Sequence, residues 1–128
     1  MKLSKLAQNV TLKSKQGARV PWDKQDDWQK RSHGYTCTLA YQGRRLTVDF
    51  WQGTGIKQEP TAAGVLSCLL SDASSGQESF EEFCSNFGYD TDSRSALKTW
   101  RACVSMHSKL EKLLGSDFDT FLQAENDL

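Results

Sequence analysis

The chain carries no net charge: sixteen Lys/Arg balance sixteen Asp/Glu over 128 residues. That weakens any reading that needs a strongly basic protein spread along phosphate backbones. Nowhere does an apolar run approach the roughly eighteen residues of a membrane-spanning helix. The lysines near the N-terminus precede no apolar signal core, so the cytoplasm is the expected compartment. On that reading the Asn9-Val10-Thr11 glycosylation pattern is a chance match. Cysteines stand singly at Cys37, Cys68, Cys84 and Cys103 with no CxxC pair, and neither His33 nor His107 flanks a cysteine pair at a zinc-like spacing. The thiols are expected as small core hydrophobes on apolar faces, and no metal or other cofactor is expected. Gly53-Thr54-Gly55-Ile56-Lys57 lacks the Gly-Lys-Ser/Thr ending of a phosphate loop and reads as a flexible turn. Asp90-Thr91-Asp92-Ser93 fails as a calcium loop, because the glycine and glutamate such a loop needs fall on Ser95 and Arg101. No internal repeat occurs.

What the chain does hold fits a single domain over residues 1–128 with a core of useful size. It divides into a variable N-terminal segment (1–20), a hairpin (35–52) and a helical part (61–122). The neutral total hides an asymmetry. Residues 1–60 carry eleven Lys/Arg against five Asp/Glu, a net of +6, and residues 61–128 carry the reverse, −6. Attraction between the two halves of one fold accounts for this, and a basic or acidic docking face is the functional alternative.

Local patterns place the elements. A short helix through about Ala7 precedes an extended segment, with a third strand available from residues 8–13, and Lys13 to Arg19 reads as a basic loop. Around Gln42-Gly43 as a two-residue turn, Leu39 pairs with Leu46, Cys37 with Val48 and Tyr35 with Phe50. Ala40/Arg45, Thr38/Thr47 and Thr36/Asp49 then form the opposite face. Thr61 caps a helix behind Pro60, whose Val65, Leu66, Cys68, Leu69 and Leu70 are nearly continuous; Ser71 to Gln77 has a loop's composition. Ser79-Phe80-Glu81-Glu82 is a capping box opening a helix with Phe80, Phe83, Cys84 and Phe87 on its stripe and Gly88 at its end. The longest helix spans 93–114, with Ala96, Leu97, Trp100, Cys103, Val104, His107, Leu110 and Leu114 at steps of three and four. Gly115 ends it, and Ser116 caps a last helix carrying Phe118, Phe121 and Leu122 before an acidic tail. The fold class is α+β: an antiparallel hairpin, extendable to three strands, packed on about four helices.

No constellation argues for catalysis. His107 lies on an apolar stripe, His33 has no partner, and Glu81/Glu82 and Asp117/Asp119 sit where acids favour helix starts. Contact surfaces are the better candidates. Trp22 and Trp28 stand among charges including Asp26 and Asp27; they read first as lids folded back over the core, and otherwise as the aromatic hot spot of a partner-binding loop. Arg44 and Arg45 at the hairpin turn extend that surface; the acidic face of Glu78, Glu81 and Glu82 is the alternative. Lys13, Lys15, Arg19, Lys30, Arg31, Arg44 and Arg45, near Tyr41, Trp22, Trp28 and Trp51, make a nucleic-acid face conceivable.

Tyr35-Thr36-Cys37-Thr38-Leu39, Gly43 to Val48, Glu59 to Ala73, Ser79 to Cys84 and Phe87-Gly88-Tyr89-Asp90-Thr91-Asp92-Ser93-Arg94 together carry a resemblance. Over about residues 22–115 the chain resembles a widespread family of small phage and prophage proteins of no established activity. The resemblance brings no functional residues with it, and residues 1–20 lie outside it. It implies a non-enzymatic protein that binds and blocks a host defence complex, an anti-CRISPR inhibitor being one form; a small nucleic-acid-binding accessory protein is the alternative. Within the signature, Tyr89 and Arg94 are expected to pin the joint between two helices.

Overall fold

The computed structural model describes residues 3–14, 32–53 and 60–127. In chain order these form α1 (Leu3–Ala7), β1 (Val10–Ser14), β2 (Ser32–Tyr41), β3 (Arg44–Gly53), α2 (Ala62–Ser75), α3 (Phe80–Phe87) and α4 (Arg94–Leu114). A 3-10 turn (Gly115–Asp117) and α5 (Phe118–Asn126) complete the chain. The strands make one antiparallel sheet in the order β1-β2-β3. The architecture is α+β.

The hairpin has the register that alternation requires, with Leu39 opposite Leu46, Cys37 opposite Val48 and Tyr35 opposite Phe50. Its two turn residues both take positive φ, 48° at Gln42 and 78° at Gly43. That geometry matches the twist of the flanking strands and is disfavoured for any residue with a Cβ, so Gly43 relieves half of the strain. β1 adds Val10 opposite Leu39 and Leu12 opposite Cys37, which puts its apolar residues on the same face as those of the hairpin. The other face bears Thr11, Thr38 and Thr47 side by side, with the Thr38 and Thr47 hydroxyls 3.4 Å apart. Lys13, expected in a loop, is part of β1.

The apolar face of the sheet meets α2 at β1 and α4 at β2 and β3. Thr61 caps α2 by accepting from the Gly64 backbone N–H at 3.0 Å. Val65, Leu66, Leu69, Leu70 and Ala73 are all buried. The helix touches α1, β1, α4 and α5, all through one broad buried face. The expected burial on more than one side is not found: Ala63, Gly64, Cys68, Ser71 and Asp72 are exposed. Burying one leucine of the inner face contributes about 2 kcal/mol.

Two further expectations about this helix fail. It continues through Ser75 where composition suggested a loop, because Ala73 is completely buried and extends the apolar spacing from Leu66, Leu69 and Leu70. Cys68 is exposed, since it falls on the outward side of the helix with Gly64, Ser71 and Asp72.

α4, 21 residues or roughly 32 Å long, lies across α2 and reaches β3 and β2. It is capped by Ser93, whose hydroxyl accepts from the Ala96 N–H at 3.1 Å. Leu110, Leu113 and Leu114 enter the main core with Phe118, Phe121 and Leu122 of α5. Val104, expected on the buried stripe, is 37% exposed, although Cys103 beside it is buried. Ser116 does not cap α5: it lies inside the 3-10 turn, Asp117 occupies the N-cap without a side-chain bond, and the helix runs on to Asn126. Among the described residues no helix is long and apolar enough to cross a membrane.

The crossing of α2 and α4 is tightest at Gly76. A Cβ there would lie 2.3 Å from the Cys103 carbonyl oxygen and 2.6 Å from its carbon, although φ at Gly76 is an ordinary −68°. Gly76→Ala is therefore expected to force the helices apart and cost about 1–3 kcal/mol. A urea melt checks it: the midpoint should fall well below that of the parent chain.

Candidate functional site

Of the contact residues expected from sequence, Trp22, Asp26, Asp27 and Trp28 lie outside the described residues, as do Lys15, Arg19, Lys30 and Arg31. The hairpin turn and the acidic face are described, and they differ in kind.

At the turn, Arg44 faces the end of α4. Its Nε donates to the Leu113 carbonyl oxygen at 2.7 Å, one of the last carbonyls of that helix, where a cation also answers the helix dipole. Beside it the Tyr41 hydroxyl donates to the Asp117 carboxylate, and the Tyr41 ring meets Phe121 edge-on at 5.8 Å. That hydrogen bond, with partial burial, holds the Tyr41 phenol above its ordinary range; the nearby Arg44 pulls the other way. Arg44 thus ties the sheet to the α4–α5 junction while remaining exposed. Arg45, opposite Ala40, and Lys13 on β1 are exposed as well.

The acidic face is built on α3. Ser79 accepts from the Glu82 N–H at 3.2 Å, as an N-cap does, and Glu82 reaches back to the Ser79 hydroxyl, which donates to its carboxylate at 3.1 Å. Glu78 is largely engaged in structure. Its carbonyl accepts from the Trp100 indole at 3.0 Å, and its carboxylate accepts from the Asn86 amide at 2.7 Å. Glu81 and Glu82 are exposed. Phe83 and Cys84 are buried against α4 with Ala96 and Cys103, and Phe80 packs on Trp100 at 5.6 Å between ring centres.

The far end of α3 carries what the stripe did not reveal. Gly88 closes the helix at φ 74°, returning its N–H to the Cys84 carbonyl. Beyond it no further turn of helix covers the last ring. Phe87 is consequently 54% exposed and Tyr89 47% exposed. Their rings stack at 6.4 Å with planes 28° apart, and both lean on buried Phe83, at 4.9 and 5.8 Å. Tyr89 therefore supports an exposed aromatic step and does not pin the joint to the rest of the fold. Arg94 is exposed as well. Phe87 directly before a helix-ending glycine was the available signal, since an i+4 stripe loses its cover where its helix stops.

His107 is half-buried, edge-on to Phe118 at 5.0 Å, as a packed core histidine would be. A shallow hollow on α5 is lined by Asp119, Thr120, Gln123, Ala124 and Asp127, with neither histidine nor cysteine. Among the described residues no group of three or more His, Cys, Asp or Glu is placed to hold a metal. Burial raises every thiol, with Cys103 pushed up to about 11, which disfavours the reactive thiolate. Comparison with protein-family models, curated proteins and solved structures finds no match.

Two measurements check these placements. Arg44→Ala is expected to lower stability by about 1 kcal/mol through loss of the helix-end bond, and Arg45→Ala by under about 0.5 kcal/mol, read as paired urea midpoints. In peptide-resolved alkylation of the folded protein, Cys68 should be labelled first. Cys37, Cys84 and Cys103 should follow only on unfolding.

Proposed function

We propose that this chain is a non-enzymatic phage or prophage protein that acts in the host cytoplasm by binding and blocking a host defence complex, with a CRISPR–Cas effector as the first target to test. The observation that carries the reading is the exposed Phe87–Tyr89 step, stacked on a buried ring and set in a charged rim. Rings held in place by a third ring lose little freedom on binding, and pre-organised aromatic anchors ringed by polar groups are how protein interfaces gain energy. The resemblance of residues 22–115 to small phage proteins supplies the biological setting. Contact through Trp22, Asp26, Asp27 and Trp28 belongs to the same reading as a second point of attachment.

Nucleic-acid binding through the hairpin is the weaker reading, because Arg44 is already bonded to the end of α4. The test is affinity capture from lysate of a strain with an active CRISPR–Cas system, using the parent chain, Phe87→Ala/Tyr89→Ala and Arg45→Ala. The parent should retain a defence nuclease or Cas subunit, the aromatic double variant should lose it, and Arg45→Ala should behave as parent. Retention of nucleic acid that dissociates steeply with salt and depends on Arg45 would overturn the proposal in favour of the alternative.

A further inference from the structure

The aromatic step sits within a segment of one charge. Between Gly76 and Ser93 the chain has Glu78, Glu81, Glu82, Asp90 and Asp92 and no Lys, Arg or His. Glu81, Glu82, Asp90 and Asp92 are all exposed, as are Phe87 and Tyr89. The nearest bases, Arg94, Lys98 and Arg101, belong to α4, so the negative field is local to α3 and the loop after it.

We infer that this corner docks an arginine-rich patch on a protein surface of the kind that otherwise holds nucleic-acid phosphates. A guanidinium lies against the exposed face of Phe87 or Tyr89, and neighbouring cations pair with the four exposed carboxylates. The inference rests on the binding role proposed above and supplies its chemistry. Charge complementarity selects this occupant. An apolar partner would strip water from several carboxylates without replacing their hydrogen bonds, and nucleic acid would be repelled. Arginine suits the corner better than lysine because its planar, weakly hydrated cation both stacks on rings and binds carboxylates bidentately. Occupying such a patch would exclude the phosphates it normally binds, so blocking follows from binding.

The test is an NMR titration of the isotope-labelled chain with a nine-residue peptide alternating Arg and Gly, and with its Lys-for-Arg counterpart. Shift changes should map to residues 78–92, the Arg peptide should bind several-fold tighter than the Lys peptide, and Phe87→Ala/Tyr89→Ala should weaken binding about tenfold. Phe87 contacts buried Phe83, so a second variant, Asp90→Lys/Asp92→Lys, reverses charge without touching the core and should also abolish binding. Shifts centred elsewhere, or equal affinity for the two peptides, overturn the inference. Concentration-dependent broadening of residues 78–92 without peptide also overturns it, in favour of a second copy as occupant. Capture of a host complex by the aromatic double variant would sink this corner and leave the inhibitor role standing. Peptide binding with no host complex captured by the parent would do the reverse.

Discussion

The fold depends on the packing of α2 against α4. A two-stranded ribbon is marginal until its apolar face is covered. Here α2 covers β1, α4 covers β2 and β3, and the two helices pack on each other. Val65, Leu66, Leu69, Leu70 and Ala73 form one broad buried face of α2, which α1, β1, α4 and α5 share. The close passage at Gly76 follows from this arrangement: α4 can press its backbone against the end of α2 only where no side chain intervenes.

The second constraint joins the ends of the elements. Arg44 at the hairpin turn reaches the last carbonyls of α4, and Tyr41 reaches Asp117 at the start of α5. One cation of the basic first half is thus placed at a helix terminus of the acidic second half, and a neutral phenol donates to one of its carboxylates. Net charge alone could not distinguish this from an external partner, since both use the same residues.

α3 stands apart from these constraints. It packs on α4 with Phe83 and Cys84 buried, and both lie outside the main cluster. An element anchored on one neighbour leaves more of its surface to solvent. Here that surface holds the stacked rings and most of the local negative charge. The signature Gly-Tyr-Asp-Thr-Asp-Ser-Arg, which looked like a structural joint, is both joint and edge: Gly88 and Ser93 terminate the helices, while Tyr89, Asp90 and Asp92 face outward.

What sequence alone determined was local. The hairpin register followed from strict alternation, since a one-residue slip would turn Cys37, Leu39 and Val48 toward water. The caps at Thr61, Ser79 and Gly88 followed from the orphaned backbone groups of helix ends. β1 was legible only as an available strand, because five residues carry little pattern until a partner edge is known. Tertiary structure decided the rest. It decided that Ser71–Ser75 is helix, because burial of Ala73 outweighs weak propensity, and that Cys68 and Val104 face solvent. It joined exposed Arg44 to a helix end and left Phe87 and Tyr89 uncovered. Periodicity states which residues share a face of a helix, whereas only the placement of neighbouring elements determines whether that face is covered.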